Sequence, residues 1–106
     1  MKATILHNPR CSKSREALAL LRDAGAEVTV VEYLKQPPTR SELARLYARA
    51  GIAPRDGLRK DAPPVADDDA ALDLMVRDPA TIERPLVETE RGVRLGRPPA
   101  AIRGIL

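Results

Sequence analysis

The chain has one cysteine, Cys11, set between His7-Asn8-Pro9-Arg10 and Ser12-Lys13-Ser14-Arg15. A lone cysteine is most often a small buried hydrophobe. These neighbours are instead polar, cationic and turn-forming. The apolar run Thr4–Leu6 before them reads as the end of a strand, and apolar residues at helical spacing begin just after them. The sulfur therefore belongs at a helix N-terminus, where backbone N–H groups point outward unpaired. The helix dipole there favours negative charge. Both effects lower a thiol's pKa, and the thiolate is the reactive form. Arg10, Lys13 and Arg15 add positive charge nearby, so a functional thiol is expected.

With one cysteine there is no internal disulfide and no CxxC pair; Ser14 stands where the second cysteine would be. A dithiol cycle is excluded, and any redox cycle must take its second thiol from outside. The net charge is +3, with arginine supplying most of the positive charge. Arginine forks suit bidentate binding of oxyanions. A basic balance also fits nucleic acid, but the cations are dispersed among acids and no aromatic platform for stacking is present. With two Tyr, no Phe and no Trp, the core is expected to be Leu, Val, Ile and Ala. No N-terminal signal pattern and no apolar run of membrane-spanning length appears. The expectation is a cytoplasmic protein whose surroundings keep Cys11 reduced.

The elements that must hold these residues follow from the pattern. Ala3–His7 reads as a strand. Ser12–Ala24 reads as a helix with Ala17, Leu18, Leu21 and Ala24 inward, and Gly25 as its stop. Glu27–Glu32 is β-branched and alternating, hence a second strand. Together they make a βαβ unit with parallel strands. Thr39-Arg40-Ser41-Glu42 matches a capping box, with Thr39 as N-cap and Glu42 reaching back. Leu43, Leu46, Tyr47 and Ala50 stripe that helix, and Gly51 ends it. Pro54–Lys60 suggests a short helix and Asp61–Val65 a loop. Asp67-Asp68-Asp69 reads as an N-cap with a favourably charged first turn; adjacent carboxylates of this kind do not make a metal shell. Ala70–Arg77 continues as helix with Ala71, Leu72, Met75 and Val76 inward, and Asp78-Pro79 starts a short turn. Glu83–Glu88 and Val93–Leu95 read as a hairpin turning at Glu90-Arg91-Gly92, and the Arg84-Pro85 bond is a candidate for cis. A last helix runs from Pro98 to about Ile105. One domain, residues 1–106, is expected: a small mixed sheet flanked by helices.

The segment from His7 to Arg15 resembles the signature of the glutaredoxin-linked arsenate reductase family (ArsC-type). Tyr33-Leu34, Pro37-Pro38-Thr39-Arg40, Leu58-Arg59-Lys60, Arg84-Pro85-Leu86-Val87 and Gly96-Arg97-Pro98-Pro99 match it further, in the family's order and over most of the chain. Ser12-Lys13 follow the cysteine where arsenate-detoxifying members usually have Gly-Thr, and a sister branch resembles this form more closely. The resemblance implies an α/β, thioredoxin-like mixed sheet of about four strands, with a helical insertion between its βαβ and ββα halves. It also implies a cis proline at Pro85 facing the thiol. It implies Cys11 as the nucleophile, and Arg59, Arg84 and Arg97 as the residues that bind the oxyanion and stabilise the thiolate. His7 takes a supporting electrostatic role. Ser14 is a candidate to donate its hydroxyl to the thiolate.

The activity so implied is reduction of arsenate to arsenite, the function of arsenical resistance, with glutathione as co-substrate, glutaredoxin as partner, and no bound cofactor or metal. Two alternatives stay open. One is an Spx-like regulator that binds RNA polymerase, although Ser14 removes the CxxC switch such proteins use. The other is a glutathione-dependent thiol protein that does not act on arsenate.

Overall fold

Four strands form one sheet: β1 (Lys2–His7), β2 (Glu27–Glu32), β3 (Leu86–Thr89) and β4 (Gly92–Leu95). In the computed structural model, which describes residues 1–106, their order is β2-β1-β3-β4. β1 pairs with β2 in parallel, and the helix α1 (Ser12–Asp23) makes the crossover between them. β3 lies antiparallel to β1 and to β4. The βαβ and hairpin expectations both hold, as does the mixed sheet of four strands.

Alternation along the central strands sends side chains to two cores. Leu6 and Leu86 face a cluster with Tyr33, Leu43, Leu46, Tyr47, Leu72, Met75 and Ile82. Ala3, Ile5 and Val87 face the other side, where Ala17, Leu18 and Leu21 of α1 pack with Ile102 and Ile105. The expectation of a core of Leu, Val, Ile and Ala is corrected here: besides Tyr47, expected on the apolar stripe of its helix, Tyr33 is also buried in the first cluster. No helix is long and apolar enough to cross a membrane.

The first core is covered by α2 (Arg40–Ala50) and α3 (Asp68–Arg77). Thr39 caps α2 by accepting the Glu42 N–H at 3.2 Å. Glu42 does not complete the capping box; its carboxylate takes the Arg45 guanidinium instead. Gly51 ends α2 with φ 68°, a left-handed conformation that glycine adopts without strain. Asp67 caps α3 through the Ala70 N–H at 2.8 Å, and Asp68 and Asp69 pair with Arg55 and Arg40. On α3, Leu74 rather than Val76 turns inward, because this short helix packs on α2 and on the tight turns at both its ends. On α1, Ala24 is exposed and Ser14 takes the inward place.

Two other segments are tighter than expected. Pro54–Gly57 and the C-terminal Pro99–Ile105 are 3-10 helices. Each is short and opens on proline, conditions that favour 3-10 geometry over a longer α-helix. The strand expected from Glu83 starts only at Leu86, because the residues before it pair elsewhere. Ile82 bridges to Leu58. The Glu83 N–H donates to the Gly57 carbonyl at 2.8 Å, and the Arg59 N–H to the Thr81 carbonyl at 2.8 Å. This small ladder sets residues 57–59 beside 81–83.

The ladder rests on a close approach. A Cβ on Gly57 would lie 2.5 Å from ring atoms of the buried Tyr47. Gly57→Ala is therefore expected to cost about 1–3 kcal/mol through overpacking, read as a lower midpoint of thermal unfolding.

Candidate active site

Cys11 is itself the N-cap of α1, in extended conformation, and no side chain caps the helix. The loop that delivers it is fixed locally. The Asn8 carbonyl accepts the Cys11 N–H at 3.0 Å, and the Asn8 side chain accepts the Arg10 N–H at 3.0 Å. The thiol takes the position that a serine or aspartate oxygen fills at an ordinary helix start. It is 9% exposed, while Pro9, Arg10 and Ser12 beside it are open to solvent.

Burial pushes the Cys11 thiol up. The Ser14 N–H, the Arg84 guanidinium and the Lys13 N–H outweigh it, and the net shift is downward. The expected consequence is a pH profile of iodoacetamide alkylation whose midpoint lies below that of a free cysteine. Below that midpoint the thiolate fraction falls about tenfold per pH unit. A midpoint at the free-thiol value would contradict the geometry.

Arg84 and Arg97 converge on the sulfur. Arg97 Nη1 lies 3.7 Å from Cys11 Sγ and also donates to the Arg84 carbonyl at 3.1 Å. Arg84-Pro85 and Arg97-Pro98 are both cis peptide bonds, the first as expected and the second an addition. Arg59 joins them indirectly, at 3.2 Å from a carboxylate oxygen of Glu83 that also lies 3.8 Å from Arg97 Nε. All three arginines thus belong to one cluster.

The supporting residues are arranged differently from expectation. The Ser14 hydroxyl lies 2.6 Å from His7 Nδ1 and accepts the Asn8 N–H at 3.1 Å. It braces the loop, while the Ser14 backbone N–H serves the sulfur. Burial lowers the His7 pKa; Glu32 opposes this, and Arg22 and Arg15 reinforce it. A neutral imidazole contributes a hydrogen bond here rather than a positive charge. Arg15 donates to the Pro9 carbonyl at 2.9 Å, so its guanidinium holds the loop.

Two residues were missed from sequence. Tyr33, buried at the end of β2, has a hydroxyl without a protein partner, as does the buried Arg84 Nε. Unpaired buried donors are rare, and each keeps its hydrogen-bonding capacity unspent by the protein. The sequence pattern marks Glu83 only as the start of a strand. The available signal was a carboxylate directly before Arg84. A cavity of about 550 Å³ opens beside this cluster, bounded by His7 to Arg10, the turn at Tyr33 to Lys35, and Arg84.

A thiol at the N-cap position of a helix on a four-stranded βαβ–ββ frame, without a second cysteine and facing arginines, defines a single-thiol domain of the thioredoxin-like class. The ArsC family model matches residues 6–105. An arsenate reductase of Rhizobium meliloti (strain 1021) is 44% identical over 115 residues, covering 100% of this chain and 82% of the relative. That of Escherichia coli (strain K12) is 42% identical over 112 residues, covering 97% and 79%. The structure of an arsenate reductase from Vibrio cholerae superposes with TM-score 0.92 at 39% identity, covering 100% of this chain and 98% of that one. The chain belongs to the ArsC family.

Proposed function

We propose that this protein reduces arsenate to arsenite with Cys11 as its single nucleophile, drawing the second thiol from glutathione and regenerating through glutaredoxin. The observation that carries the reading is a sulfur at a helix N-terminus with the Arg97 guanidinium 3.7 Å away. Such a helix start offers N–H groups to an anion, and the arginine forks offer two more faces.

The Cys11 thiolate attacks arsenic and a hydroxide leaves, forming a sulfur–arsenic bond with arsenic still pentavalent. Glutathione thiolate then attacks the Cys11 sulfur. The sulfur–arsenic electron pair stays on arsenic, which leaves as arsenite, and the two sulfurs become a mixed disulfide. Two thiolates thus supply the two electrons. Glutaredoxin exchanges with the disulfide and returns the Cys11 thiolate. The cavity beside the site has Arg10, Arg84 and the Lys35–Glu32 ion pair on its walls, and its size and net positive charge support binding of a small carboxylated thiol.

The test is arsenate-dependent NADPH consumption in the presence of glutathione, glutathione reductase and glutaredoxin. Arsenite should appear in step with NADPH loss, and omission of glutaredoxin should stop turnover. NADPH consumption indifferent to arsenate removes the assignment.

A further inference from the structure

Glu83 stands where the three arginines meet. Its Oε1 lies 3.2 Å from Arg59 Nη1 and 3.8 Å from Arg97 Nε, and accepts the Arg84 backbone N–H at 3.2 Å. One oxygen therefore touches all three residues. The Glu83 side chain is only 16% exposed, so these contacts are screened less than surface ion pairs. Its backbone is fixed as well, through the bond to Gly57 and the neighbouring Leu58–Ile82 bridge.

Each guanidinium keeps N–H groups free of this carboxylate. Arg97 is ion-paired with Glu83 at 3.8 Å through Nε, while its Nη1 donates to the Arg84 carbonyl at 3.1 Å and faces the sulfur at 3.7 Å. A guanidinium is planar, so attraction at Nε together with the bond at Nη1 sets the direction of the fork. Arg59 has one competing partner, Asp61 at 3.4 Å, whose side chain is 81% exposed. Glu83 holds Arg59 inward against that outward pull.

We infer that Glu83 is a positioning residue: its carboxylate gathers Arg59 and Arg97 and aims them at the anion bound over Cys11. This rests on the reading of the cluster as an oxyanion site and adds a residue to it. Orientation of binding groups is worth large factors in rate, and small displacements lose them. The negative charge costs some attraction for the anion, and the inference is that the gain in order outweighs it.

The test is Glu83→Gln, which keeps the shape and removes the charge, beside Glu83→Asp, which keeps the charge on a shorter arm. In the ligand-free protein, ¹⁵N relaxation of the arginine Nε–H groups should show Arg59 and Arg97 ordered in the parent and mobile in Glu83→Gln. In the coupled assay, KM for arsenate should rise about tenfold with kcat changed far less, the pattern of lost binding-site order. Glu83→Asp should recover part of both effects. Equal arginine order in parent and Glu83→Gln overturns the inference. So does an unchanged or lower KM, which would make the carboxylate a competitor of the anion. The relaxation measurement needs no turnover. If the parent is inert toward arsenate, the proposed reaction falls while the role of Glu83 is still decided.

Discussion

Cys11→Ser abolishes arsenate-dependent turnover, by at least about a thousandfold, and leaves the fold standing. The two halves of this expectation have separate causes. A serine hydroxyl is not ionised near neutrality, and an oxygen–arsenic adduct cannot close a disulfide, so no electron pair is left on arsenic. The position is meanwhile an N-cap in extended conformation with no capping side-chain bond. Serine is a preferred cap, typically worth ~1 kcal/mol over a non-capping side chain. The variant should therefore melt at or slightly above the parent's temperature while giving no signal in the NADPH-coupled assay. Residual turnover within tenfold of the parent would place the nucleophile elsewhere.

Loss of Arg84 carries the second largest effect. Arg84 lowers the thiol's pKa by direct interaction with the sulfur and has a buried Nε with no protein partner. Arg84→Ala is expected to lower kcat/KM by about 10²–10³, the usual scale for removing one donor to developing charge. The sign of its pH dependence is distinctive. Without the guanidinium the thiol pKa rises, so the thiolate fraction at neutral pH falls and is regained as pH increases. Activity of the variant should recover toward alkaline pH relative to the parent, and the alkylation midpoint should move up with it. Arg84→Lys should rescue the midpoint in part but not KM, because an ammonium lacks the planar fork. A uniform loss at all pH values would assign Arg84 to anion binding alone.

Local signals carried most of the frame. The β-branched run Glu27–Glu32 became β2 with the same bounds, and Thr39 and Asp67 cap their helices as their residue types indicate. Cys11 was legible because strand end, turn and helix start are all written within a dozen residues. What stayed hidden was tertiary. Glu83 and Gly57 lie far apart in the chain and show no periodicity, and their roles, with the close approach of Gly57 to the Tyr47 ring, exist only once residues 57–59 and 81–83 pair. The partners of the Ser14 hydroxyl are hidden from the sequence for a similar reason. Helical spacing brings it near the sulfur, but the His7 ring and the Asn8 amide reach it first. The inward turn of Leu74 depended on what α3 would pack against, which propensity does not encode.

Arg59, Arg84 and Arg97 all sit outside the named strands and helices. None donates a rung to the sheet, and none fills either apolar cluster. Exchanging one of them should change thiol ionisation or anion binding while leaving both apolar clusters and the sheet intact. Reactivity and folding are thus borne by separate sets of side chains in this molecule.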